Sequence, residues 1–139
     1  MKKIITIILT LSAFIVNAQK IDKQFVEGTW KVVSVEEAPD NPPFSLMTSS
    51  FEQAVFTFNS DQTCELESAV DNGCFAMISS VVKNAQWTLS FQSEKPLISI
   101  ESNGEKQLEI FVTTSDDETY FALDEEGGKA YFLLKVEKM

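Results

Sequence analysis

The sequence contains no histidine and no arginine; all 11 of its basic residues are lysine. Without histidine the commonest general base and metal ligand is missing. A Ser-His-Asp or Cys-His relay cannot be built from this chain, nor can a His-containing zinc site. Without arginine there is no planar fork for bidentate recognition of carboxylates or phosphates. Cysteine is scarce, at two residues, too few for a Cys-only structural zinc. Glycine (5) and proline (4) are spread singly except for Pro42-Pro43 and Gly127-Gly128, so no linker divides the chain. Positive charge is outweighed by 21 acids, giving a net charge of −10 that repels phosphate backbones and anionic membranes. No cofactor, metal or nucleic-acid partner is implied.

Long apolar runs are also few, and the one present, Ile4 to Val16, follows Lys2 and Lys3 and precedes Asn17-Ala18. A basic start, a short apolar run and short side chains at Val16 and Ala18 describe a secretory signal over residues 1–18. The run is shorter than the roughly 20 residues that a membrane-spanning helix needs. No cysteine stands at the expected cleavage point for lipid attachment. The expectation is an exported protein, periplasmic or secreted, with no transmembrane segment in the mature chain, residues 19–139. About 120 residues form one domain by size.

That domain alternates with the period of a half-buried strand. Trp30 and Val32; Ala54, Phe56 and Phe58; Cys64 and Leu66; Trp87, Leu89 and Phe91; Ile98 and Ile100; Leu108, Ile110 and Val112; and Phe132, Leu134 and Val136 each occupy one phase. Phe75 to Ser80 and Tyr120 to Leu123 read as further strands. Between the strands lie Asn59-Ser60-Asp61-Gln62, Asp71-Asn72-Gly73, Ser102-Asn103-Gly104-Glu105, Ser115-Asp116-Asp117-Glu118 and Glu125-Glu126-Gly127-Gly128, all rich in residues suited to tight turns. Short turns favour antiparallel neighbours, and a meander this long must close or cover its edges. The expected fold is all-β, an antiparallel up-and-down barrel of about eight or nine strands; a two-sheet sandwich is the alternative.

Two segments interrupt the alternation. Ile21 to Glu27 predicts a helical turn before the first strand. Ala38 to Gln53 is a long loop in which Ser49 and Glu52 have capping-box spacing for a short helix. This loop is either a flap over one barrel mouth or a surface loop without function. Cys64 and Cys74 flank the Asp71-Asn72-Gly73 turn signal, so an exported chain is expected to join them by a disulfide between adjacent strands. The alternative is two buried thiols acting as small apolar residues. The acids of Asp116-Asp117-Glu118 and Asp124-Glu125-Glu126 lack the pattern of a calcium loop and read as solvated turn charge.

Gly28-Thr29-Trp30 opening the first strand, the long loop after it, the Phe56-to-Thr63 hairpin segment and a mid-chain Trp87 together resemble the bacterial lipocalin-like proteins. The resemblance implies that Gly28 and Trp30 close one end of the barrel and that the other end opens on an apolar cavity. On the inward phase, Phe56, Phe58, Leu66, Trp87, Leu89, Phe91 and Phe132 would line it. The family pattern also places an arginine from the last strand on the Trp, and here only Lys135 or Lys138 can take that place. The function expected is a non-enzymatic binding protein that sequesters or carries a small apolar or amphipathic ligand. The alternative is a packed barrel that serves as an envelope interaction or inhibitor module through its surface loops. A carboxylate-based hydrolase or isomerase is a third reading, for which no pair among the acids stands out.

The signal reading predicts that exported protein begins at Gln19, which N-terminal sequencing or intact mass checks. Full-length chain recovered from a membrane fraction would contradict it.

Overall fold

The computed structural model describes residues 21–40, 42, 44–70, 73–124 and 131–139. The predicted signal segment and the Glu125-to-Gly128 turn fall outside these residues. Eight strands dominate: β1 (Gly28–Glu37), β2 (Ala54–Phe58), β3 (Cys64–Ser68), β4 (Gln86–Gln92), β5 (Lys95–Ser102), β6 (Glu105–Ser115), β7 (Glu118–Asp124) and β8 (Tyr131–Lys138). All neighbouring strands are antiparallel, in the order β3-β2-β1-β8-β7-β6-β5-β4. The sheet curls into a half-barrel. Its edges, β3 and β4, come together at one end, where Thr63 bridges Gln86 and the Trp87 N–H donates to the Gln62 carbonyl at 2.9 Å.

Three hairpins use adjacent residues of positive φ: Ser93 (51°) and Glu94 (67°), Asn103 (55°) and Gly104 (79°), and Asp116 (52°) and Asp117 (66°). These are the primed turns whose twist matches that of the flanking strands. The second and third carry the Asn, Asp and Gly residues that announced them. Ser93-Glu94 lacks that chemistry and is imposed by the strands on either side.

Helices fill what the sheet leaves open. Lys23–Val26 (α1) precedes β1, capped by the Asp22 carboxylate, which accepts from the Phe25 N–H at 2.9 Å. In the long loop a 3-10 turn, Phe44–Met47, runs directly into α2, Thr48–Glu52. The expected cap at Ser49 is therefore not formed: Ser49 lies inside α2, and Met47, the residue before the helix, makes no side-chain capping bond.

The segment expected as a strand over Phe75 to Ser80 is instead helical, within α3 (Gly73–Lys83). Phe75 and Val82 are buried, Ile78 and Ser79 half-buried, and Met77 is 71 % exposed. The buried residues recur at intervals of three, four and seven, which is helical spacing. Helix α3 lies along β3: Ser79 Oγ donates to the Leu66 carbonyl at 2.5 Å, and Ser68 Oγ donates to the Ser50 carbonyl of α2 at 2.6 Å.

This helix also removes the expected disulfide. Cys64 and Cys74 are both free thiols. Cys74 sits in the first turn of α3, whereas Cys64 Sγ lies 3.4 Å from the Val82 carbonyl at the helix's other end. Eight residues of helix separate those turns by about 12 Å, beyond disulfide reach. Cys64 is a buried apolar filler, and burial pushes its thiol up to about 11.

Native protein is accordingly expected to be alkylated at half-buried Cys74 and protected at Cys64, with both labelled after denaturation; mass spectrometry of the adducts checks this. The raised Cys64 value adds an alkaline signature. Below the ordinary thiol value of 9.0 the group is neutral in both states and has no effect; as pH rises from there to about 11, ionisation of the unfolded chain lowers stability. Cys64→Ala removes that part of the pH dependence.

Candidate functional site

The seven residues expected to line a cavity divide sharply. Phe56, Phe58, Leu66, Trp87 and Phe132 are all buried on the inner face of the sheet. Their rings touch one another or residues brought in from elsewhere. Phe58 lies 5.5 Å from Trp87 edge-on, Phe56 lies 5.5 Å from Phe121 edge-on, and Phe121 is 5.4 Å from Trp30. These centroid separations are those of favourable aromatic pairs, so the rings form a continuous packed row from β4 to β7.

At the opposite end the helices supply the filling. Phe51 of α2 is 4.6 Å from Phe132 and 5.3 Å from Phe75 of α3, and Met47 is buried with them. The alternation of the strands could not reveal these plugs, because they come from elements of helical period. Their signal was the spacing of Phe75, Ile78 and Val82 and the apolar Phe44, Leu46, Met47 and Phe51 inside a loop otherwise rich in Pro and Ser.

Leu89 is half-buried against the core, whereas Phe91, expected on the same inward phase, is 62 % exposed. Trp87, Leu89 and Phe91 occupy one phase of β4, yet burial falls steadily along them. The cause is the opening of the sheet. At Trp87, β4 is tied to the β2–β3 turn through its backbone and through Trp87 Nε1, which donates to the Asn59 carbonyl at 2.9 Å. Beyond that tie no backbone bridge joins β4 to β3 among the described residues.

The tied end is floored by α1 and by the two tryptophans. Trp30 is buried, and its Nε1 donates to the Val26 carbonyl at 2.9 Å. Lys138, from the last residues of β8, takes the place over this ring: Nζ lies 5.4 Å from the Trp30 centroid and 5.9 Å from that of Phe25. It also donates to the carbonyls of Phe25 at 2.8 Å and Gln24 at 3.3 Å. One ammonium therefore binds two aromatic faces and the C-terminal carbonyls of a one-turn helix. Lys135, the other candidate, points elsewhere and pairs with Glu118 at 2.7 Å, while the Tyr120 hydroxyl donates to the same carboxylate at 2.7 Å. Those bonds hold the Glu118 carboxyl below its usual range and Lys135 above its own.

Gly28 makes the lysine's approach possible. Its φ is +126°, a conformation that side chains strongly disfavour, and a Cβ there would stand 2.8 Å from Lys138 Cε. Gly28, Trp30 and Lys138 thus form one unit from the two ends of the folded domain. Lys23 Nζ lies 6.0 Å from the Trp87 ring, so α1 spans the floor with a cation near each tryptophan. Among the described residues no cluster of acids and cysteines could hold a metal ion, and no helix is long and apolar enough to cross a membrane.

Trp30→Ala is expected to cost about 3–5 kcal/mol in urea unfolding, as a buried aromatic deletion does. Gly28→Ala should cost about 1–3 kcal/mol from its backbone conformation alone. Adding Lys138→Ala to Gly28→Ala relieves the contact but not the conformation, so the double variant is expected to recover only part of the loss.

Compared with protein-family models, with curated proteins and with solved structures, the chain matches none of them, and the residues described above carry the functional argument.

Proposed function

We propose that this protein is a non-enzymatic interaction module that works through its outer surface and loops, with the interior serving as structural core. The observation that carries this reading is the continuous ring packing of Trp30, Phe121, Phe56, Phe58 and Trp87, where a carrier needs unfilled space. The lack of histidine and arginine throughout the chain supports binding over catalysis. Export to the periplasm or beyond belongs to the same proposal and rests on Met1 to Ala18. The unit of Gly28, Trp30 and Lys138 supports a distant lipocalin-like relationship, with lysine where that pattern has arginine.

The second reading is sequestration of a small apolar or amphipathic ligand. It is favoured by one feature, the inner face of β4 left uncovered at Leu89 and Phe91. A ligand there would lose apolar surface from water at roughly 25 cal/mol per Å² before association costs.

Titration with neutral and cationic apolar probes, read by tryptophan emission, separates the two. The module reading predicts no saturable change. Saturable micromolar binding that is weakened in Leu89→Ser and Phe91→Ser, each still folded by circular dichroism, would establish sequestration and overturn the first reading.

A further inference from the structure

The two edges of the sheet are treated differently by the rest of the chain. On β3, Glu65 and Glu67 place charge on the strand, and α3 and α2 lie against it, with Ser79 bonded to the Leu66 carbonyl. On β4 nothing comparable is present among the described residues. No charged residue occurs between Lys83 and Glu94, and the strand has no proline and no bulge against β5. Thr88, Ser90, Phe91 and Gln92 are exposed. Charge, proline, bulges and covering elements are the devices by which proteins keep an edge from pairing, and among the described residues β4 has none from Thr88 onward.

The free backbone groups of this edge follow from the hairpin. Gln92 pairs with Lys95 across the two-residue turn, so this pair exchanges both hydrogen bonds. The groups of Ser90 and Thr88 then also point to β5, and those of Trp87, Leu89 and Phe91 point away from it. Trp87 agrees, since its N–H reaches Gln62 on that side. Leu89 and Phe91 therefore each present one N–H and one C=O on the side away from β5, where no partner for them lies among the described residues.

We propose that β4 pairs with β4 of a second copy of this chain, antiparallel about a two-fold axis at Ser90. In that register Leu89 faces the partner's Phe91 and Phe91 faces the partner's Leu89. All four free groups on each chain are then satisfied, in two doubly bonded pairs. Both residues lie on the inner phase, so the exposed Phe91 ring covers the half-buried Leu89 of the partner twice over and extends the apolar core from one copy into the other. Self-pairing is favoured over an unrelated strand because one register satisfies hydrogen bonding, side-chain matching and symmetry together. It also brings uncharged segments together at the closest approach of two chains that each carry a net charge of −10. The inference does not depend on the function proposed above, since a ligand carrier would present the same edge.

Sedimentation of the purified protein is expected to show a monomer–dimer equilibrium. Ser90→Glu, on the exposed outer phase, opposes two carboxylates at the axis and should weaken the dimer about tenfold or more. Because facing residues of a non-hydrogen-bonded pair have Cα atoms about 4.5 Å apart, Ser90→Cys in a Cys74→Ser background should form an intermolecular disulfide under mild oxidation. Thr88→Cys, which would face Gln92 of the partner, should not. A protein that stays monomeric at the highest attainable concentration overturns the proposal. So does a dimer that is unaffected by Ser90→Glu and gives no Ser90→Cys cross-link, or a monomer that uses this edge only for a strand of a different protein.

Discussion

The arrangement of this molecule depends on an incomplete closure. Its eight strands curl far enough for the edges to touch at Thr63 and Gln86, but they do not pair along their length. A curled sheet that stops short of closure leaves two problems: an open side to the core and two rows of backbone groups without partners. The link between β3 and β4 deals with the first and half of the second. Helix α3 brings Phe75 and Val82 over the core and bonds to the backbone of β3.

At the tied end the constraint is of another kind. A one-turn helix has carbonyls but no length with which to satisfy them, and it lies beside the buried indole N–H of Trp30, with the part-buried one of Trp87 nearby. The Val26 carbonyl accepts from Trp30, the Asn59 carbonyl accepts from Trp87, and Lys138 takes the carbonyls of Gln24 and Phe25. Each buried donor or helix-end acceptor named here has a partner within ordinary bonding distance. An exposed lysine over aromatic rings contributes modestly, about 0.5–1 kcal/mol. Its larger effect is geometric, because it fixes the last residues of β8 to the segment before β1.

How much of this was legible in the sequence depended on whether local pattern and tertiary context agreed. Period-two alternation located β1 to β8, with β7 read from Tyr120 to Leu123, and turn chemistry located the hairpins at Asn103-Gly104 and Asp116-Asp117. Lys138 was one of the two lysines expected near Trp30, and the structure places its ammonium over that ring and beside Gly28. The failures share a cause. Phe75 to Ser80 is apolar enough to satisfy either period over six residues, and only extension to Val82 distinguishes helix from strand. The disulfide rested on that strand and was lost with it. Phe91 shares its phase with Trp87, but phase determines which way a side chain points and not whether anything is there to meet it. Burial of Phe91 depended on closure between β3 and β4, a property of the whole sheet.

The pairing of β1 with β8 has a consequence for how the fold is reached. These strands occupy the middle of the sheet, yet Trp30 pairs with Lys138 and Lys31 with Glu137, at opposite ends of the domain. Contacts between β4 and β8 are local hairpins that form as soon as their residues meet; the β1–β8 seam must close a loop of nearly the whole chain. Topology of this kind slows folding. While the polypeptide is still being synthesised, β1 has β2 on one side and an empty edge on the other. Until β8 has been made, β1 cannot complete its place in the sheet.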